Sequence, residues 1–261
     1  MTKQVAKKED NLPAMAMDFQ ADAGAGYEEA DKDAYAIPFI NILQALSPQV
    51  DESDGAYIEG AKPGMFFNTV TNDIFSGDGV EIIPVHFSRG YIEWGLRENG
   101  GGFKAEHSVA DASALLKESV RDEKNRDVLP NGNHLVDTRN HYAIIKTESG
   151  WAPVIISMTS TQIKKSRKWM TAMNQIQIND GDRPYNPPMF ANLYKMSTVK
   201  EKNDQGSWFG YKLERQGFVE DNNVYQLAKQ FREQILSGEA KAAHESVDEI
   251  PGFEESSSVS M

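Results

Sequence analysis

Between Ile163 and Met173 the sequence IKKSRKWMTAM sets four cations, Lys164, Lys165, Arg167 and Lys168, beside Trp169, with no acidic residue among them. On a helix, Ile163, Ser166, Met170 and Met173 fall on one side at three- and four-residue spacing. Lys164, Arg167, Lys168 and Thr171 fall on another, with Lys165 and Trp169 on a flank. Such a surface suits phosphates: cations neutralise them and release counterions, and an aromatic flank gives a base a face to stack on. The start of this helix is marked as well. Thr159-Ser-Thr-Gln162 fits a capping box, with Thr159 as the cap and Gln162 reaching back, and the helix is expected to run to about Asn174.

Aromatic and basic residues are also mixed along the expected strands. Phe87, Arg89 and Tyr91 share one strand face by two-residue alternation, and Trp94 and Arg97 follow nearby. Tyr194-Lys195 and Trp208-Phe-Gly-Tyr-Lys212 repeat the mixture. Single-strand binders use this combination, stacking bases on rings while cations track the backbone. The expected binding set is therefore Lys164, Lys165, Arg167, Lys168, Arg89 and Lys212 on phosphates, with Trp169, Tyr91, Trp94 and Trp208 as stacking rings.

Several other chemistries are missing from the sequence. Gly24-Ala-Gly26 has no strand before it, and Gly100-Gly-Gly102 is not followed by the Gly-Lys-Ser/Thr of a phosphate loop. Asp51-Glu-Ser-Asp-Gly resembles a calcium loop, but Ala56 and Lys62 occupy its required glycine and glutamate positions. His86, His107, His134, His141 and His244 have no metal-ligand spacing, and there is no cysteine. No catalytic residue, metal or cofactor is expected, and the chain is read as a binding protein rather than an enzyme.

The elements that must carry the site read as β-rich. Tyr35 to Leu46 opens the ordered part, with Pro38 in an extended segment or a first helical turn and Ile42, Leu43 and Leu46 forming a short apolar face. Met65–Val70 and Asp73–Phe75 read as a hairpin. Val80–Phe87, with an edge-type Pro84, and Gly90–Trp94 read as two strands, and Glu98–Gly102 as a loop. Ala110–Val120 reads as a short helix. His141–Thr147 and Trp151–Met158 read as a central hairpin, Met189–Val199 and Trp208–Glu214 as another. A last helix, Asn222–Leu236, ends at Gly238. The fold class is α+β, β-rich, in a single domain: an OB-like, partly open barrel with one or two packed helices.

Charge separates this domain from its ends. The 261 residues carry a net charge of −12. Residues 1–60 hold 12 acids and 4 bases, and residues 239–261 hold 6 acids and 1 base, so the middle is close to neutral. Residues 1–34 and 239–261 are expected to be disordered acidic segments flanking a domain at 35–238. In the tail, Asp248, Glu249, Phe253, Glu254 and Glu255 set one ring among acids. Two uses fit: docking on a basic groove of a partner protein, or folding back to compete with nucleic acid for the chain's own basic surface. No run of about 18 apolar residues is present to span a membrane, and Met1–Asp10, with lysines but no apolar stretch behind them, are not expected to be a secretory signal.

The runs Ile37-Pro-Phe-Ile-Asn-Ile-Leu-Gln, Gly64-Met-Phe-Phe-Asn-Thr-Val-Thr, Ile83-Pro-Val, Tyr91-Ile-Glu-Trp and Ser157-Met-Thr-Ser-Thr-Gln-Ile-Lys-Lys-Ser-Arg-Lys-Trp resemble a family of bacteriophage proteins from replication and recombination gene clusters. The likeness covers about residues 35–218. More loosely, the chain resembles phage single-stranded DNA-binding proteins with an OB-type barrel and an acidic, aromatic-containing tail, although Phe253 lies inside the tail rather than at its end. These likenesses imply a sequence-tolerant binder of single-stranded DNA, or of RNA, in the cytoplasm of a bacterial host. Phage or host replication proteins would be partners through the tail, and a homo-oligomer is left open. The alternative is a phage protein-binding module, a host-factor inhibitor or replication accessory, that uses its acidic ends.

Overall fold

The structure, a computed structural model, describes residues 22, 25–29, 36–95, 101–123, 125–181, 183–204, 206–238 and 242. Its elements follow in chain order. Strand β1 (Ile40–Ile42) precedes the hairpin β2 (Phe66–Asn68) and β3 (Ile74–Phe75). Then come β4 (Val80–Trp94), β5 (Phe103–Ser108), helix α1 (Val109–Glu118), β6 (Val120–Arg121) and β7 (Asp127–Val128). The hairpin β8 (His134–Thr147) and β9 (Gly150–Met158) leads into helix α2 (Ile163–Asn174). A small ribbon, β10 (Ile178–Asp180) and β11 (Arg183–Tyr185), precedes the long hairpin β12 (Asn192–Asn203) and β13 (Gly206–Phe218), and α3 (Asn222–Ser237) closes the order.

Two strands are long enough to change neighbours along their length, and this curls the sheet. β8 accompanies β4 from Ile82 to Trp94, while β12 flanks only the start of β4 and β5 only its end. β8 likewise meets β7 at its start and β9 from Arg139 onward. Ser88 and Arg89, expected from the sequence to lie between two strands, are therefore part of one continuous strand. Pro84 lies between the stretches of β4 that β12 and β5 flank, paired by β8 alone, so it keeps a locally edge-like position, next to a bulge between Pro84 and His86.

The β1–β2–β3 sheet spans the gap between the edges of β9 and β13. Ile155 donates its N–H to the Pro38 carbonyl, and the Tyr211 hydroxyl donates to the Ile40 carbonyl. Gln44 pairs with the outer edge of β13 as a strand would, accepting from Phe209 N–H and donating to its carbonyl. The result is an OB-like, partly open barrel in a single β-rich domain. β1 also replaces the short apolar face expected for residues 42–46: Leu43 is buried, but Leu46 is exposed.

Side-chain alternation divides the core between the two faces of the sheet. Ala143, Ile145, Val154 and Ile156 pack with Phe66, Trp169, Met173 and Tyr211, so α2 covers this face. Ile83, Ile144 and Ile155 pack with Phe190, Ala228 and Phe231, so α3 covers the other. Burial on both faces is why the central strands carry the pairs Ile82-Ile83, Ile144-Ile145 and Ile155-Ile156 rather than apolar-polar alternation. Gly238 ends α3 with φ of 76°, a conformation that favours glycine. The segments expected to be disordered fall almost wholly outside the described residues. Among the described residues, no helix is long and apolar enough to cross a membrane.

Candidate nucleic-acid interface

Helix α2 starts differently from its sequence signal. A 3-10 turn, Ser160–Gln162, precedes it, and the Thr159 side chain makes no capping bond. The Gln162 amide oxygen instead accepts from Tyr211 N–H at 3.1 Å and ties α2 to β13. The buried positions of α2 are Ser166, Trp169 and Met173, and Gln162 just before the helix is buried too. Lys164, Arg167, Lys168 and Thr171 are exposed, as the spacing predicts. Lys165 is half-buried and pairs with Glu201 at 2.9 Å.

The buried face corrects the largest expectation about this helix. Trp169 is 4% exposed. It meets the Tyr194 ring edge-on at 5.5 Å and lies 4.5 Å from the His141 ring. It is a core residue and has no face to offer a base. Beside it, Ser166 is fully buried and bonds His141 Nε2 at 2.8 Å. Burial, with Arg139 nearby, pushes the His141 pKa from 6.5 down to about 3, so the ring is neutral in the fold.

That shift predicts a pH dependence. An unfolded chain protonates His141 near 6.5, whereas the folded chain does so only near 3. The contribution of this group to stability is therefore complete above about 6.5 and is lost as pH falls toward 3, at a slope approaching about 1.4 kcal/mol per pH unit. Other groups titrate in the same range, so the comparison is with His141→Phe. Melting temperature against pH should fall less steeply for that variant; parallel curves would refute the assignment.

The expected strand residues divide. Tyr91 and Trp94 are buried, Trp94 edge-on to Phe103, so neither is a stacking surface. Arg89 is engaged by Asp137 through two bonds, at 3.2 and 2.8 Å, and by the Tyr91 hydroxyl at 3.1 Å. Arg139 binds the same carboxylate. Burial alone would raise the Asp137 pKa, but the two guanidinium groups hold it below the usual carboxylate range. Arg89 is thus exposed, but its guanidinium is already occupied by Asp137 and Tyr91. Lys212 is exposed on β13 and pairs with Glu214 at 3.0 Å. Trp208 is only partly buried; its indole N–H donates to Glu201 at 3.0 Å. Arg97 and the tail residues Asp248, Glu249, Phe253, Glu254 and Glu255 lie outside the described residues.

Trp208 and Lys164 come together in an open cleft of about 620 Å³, between the start of α2, the β6–β7 turn and the tip of the β12–β13 hairpin. Arg121, Arg126 and Lys202 also line it. Arg121 pairs with Asp127 at 3.3 Å and Arg126 with Asp122 at 2.6 Å. Among the described residues, no carboxylate pairs with Lys164 or Lys202. Sequence reasoning missed Arg121, Arg126 and Lys202 because each sits in a run of mixed charge at or beside a hairpin turn, with no aromatic residue adjacent in sequence. Arg167 and Lys168 continue the basic surface along α2, outside the cleft. Among the described residues, no group of three or more His, Asp or Glu side chains is placed to hold a metal ion.

A model of the family described as Pam3 phage gp34-like protein matches residues 7–241. No curated protein and no solved structure matches the chain.

Proposed function

Because the chain belongs to the Pam3 phage gp34-like protein family, we propose that this phage protein binds single-stranded nucleic acid, DNA in the first place, during phage replication or recombination in the host cytoplasm. One observation carries the reading. The α2 cations Lys164, Arg167 and Lys168, which pair with no carboxylate among the described residues, form a surface that runs into a cleft holding Lys202, Arg121, Arg126 and the partly exposed ring of Trp208. Cations along the rim track phosphates, and one ring at the cleft stacks one base. The track follows a single backbone and makes no use of base edges, so binding is tolerant of sequence.

The test is fluorescence anisotropy of a labelled oligothymidylate across a salt series, with duplex as competitor. Binding that falls with salt and resists duplex supports the reading. Trp208→Ala should weaken binding by about 1–3 kcal/mol while leaving the melting temperature within a degree or two, since the ring is on the cleft wall and outside the core clusters. Unchanged affinity in that variant removes the stacking role.

A second reading rests on the ends. A parallel bridge between Ile37 and Ala242 brings the two points where the acidic stretches join the domain to one place. A partner with a basic surface would then meet both stretches together. The same titration separates the two: no binding of the oligonucleotide at low salt favours this protein-partner role.

A further inference from the structure

The carboxylate of Glu201 sits where three donors converge. Its Oε1 lies 2.9 Å from Lys165 Nζ, its Oε2 accepts from Trp208 Nε1 at 3.0 Å, and Gln162 Nε2, which bonds Thr161 Oγ1 at 3.1 Å, stands 3.5 Å from the same oxygen. Of the charged pair, Glu201 lines the cleft, and Lys165 stands behind it. An ammonium, an indole N–H and a side-chain amide gathered on one anion form a donor set that equally fits a phosphate oxygen. The backbone has been cleared for this knot. A Cβ on Gly210 would run into Lys165 Nζ, Glu201 Oε2 and Gln162 Nε2.

The hairpin that delivers Glu201 is held to the sheet along part of β12 and, on its β13 side, by Gln44 at Phe209. β12 pairs with β4 only from Tyr194 to Met196, and Thr198 makes the last backbone bond toward the sheet, to Gly77. Beyond it the two strands run on as a ribbon to Asn203 and Gly206. Glu201 and Trp208 are opposite each other in that ribbon.

We propose that Glu201 is an internal competitor for a backbone phosphate: it occupies an anion site built from Lys165, Trp208 and Gln162, and a bound single strand displaces it. This rests on the single-strand reading. Binding then exchanges one anion for another at Lys165, so Glu201 lowers affinity for any ligand with an isolated charge and favours a strand that also engages the α2 cations.

The experiment is the oligothymidylate titration, across the same salt series, with Glu201→Gln. This variant keeps an acceptor for the indole and removes the charge. Lys165 becomes free, so the salt slope should steepen by about 0.7, the value for one phosphate on a single strand. The affinity ratio of variant over wild type should then grow about fivefold for each tenfold drop in salt. Gly210→Ala, whose methyl splits the knot by pushing the flexible ends of the side chains apart, should move binding in the same direction. In a Glu201→Gln/Lys165→Gln double variant the gain should vanish. A gain that survives without Lys165, or no gain in Glu201→Gln while the wild type binds, overturns the proposal and leaves the single-strand reading standing. A wild type that does not bind at any salt overturns both.

Discussion

Replacing Lys164, Arg167 and Lys168 together by alanine should weaken single-strand binding about 100-fold at about 0.1 M salt and reduce the salt slope by about 2. Each cation that neutralises a phosphate contributes about 0.7 to the slope on a single strand, and three of them act together. The structure selects these three. All are exposed on the outer face of α2, whereas Lys165 is held by Glu201 and is left unchanged in this variant. Stability should change little, because the contacts that dock α2 belong to Gln162, Ser166, Trp169 and Met173. Surface substitutions away from such contacts usually stay within about 0.5 kcal/mol. The checks are the same anisotropy titration and a melting curve. Affinity that survives the triple replacement would remove α2 from the interface.

Trp169→Ala should lower stability by about 3–5 kcal/mol, the usual cost of emptying a large aromatic site in a core. For a domain of this size that corresponds to a melting temperature lower by roughly 6–20 °C. The ring fills the space between His141 and Tyr194 beneath the sheet. Its removal also withdraws the packing that keeps His141 and Ser166 dry. Trp169→Phe retains most of the contact and should recover much of the loss. Circular dichroism melts of the two variants decide the matter. If Trp169→Ala melts with the wild type yet binds an oligonucleotide poorly, the ring is an exposed stacking surface and the burial described above is wrong. The contrast with Trp208→Ala is the useful one: two tryptophans, one expected to act on stability and the other on binding.

The periodicity of α2 identified its exposed cations, because a 3.6-residue repeat determines which residues share a side wherever the helix packs. It did not fix the inner face to within one residue. Met170 and Trp169 are adjacent, and a ring as large as tryptophan is compatible with a flank or with a core until the opposing surface is known. Here that surface is the concave face of β8, where Tyr142 and Ile144 point away and His141 and Ala143 point inward. Gln162 shows the same limit on a smaller scale. Its spacing from Thr159 satisfied a local cap, but the edge of β13 offered Tyr211 N–H, and that unpaired strand donor took the amide instead.

By itself the sequence determined the local pieces: the 66–75 hairpin, the 141–158 hairpin, the long hairpin turning near Asp204, the two main helices, the Gly238 stop and the near-neutral middle between acidic ends. These depend on neighbours a few residues apart, and turn chemistry and periodicity report them directly. Only the tertiary structure decided which polar groups are already occupied. Asp137 takes Arg89 from 48 residues away, and Glu201 takes Lys165 from 36 residues away. It alone made one strand of Val80–Trp94, since Ser88-Arg89, between the two expected strands, stays extended when β8 pairs along it. It also gathered Arg121, Lys164 and Trp208 around one cleft. A cation's availability depends on the nearest carboxylate in space, and a ring's exposure on what packs against it, and neither distance is written in the spacing of the chain.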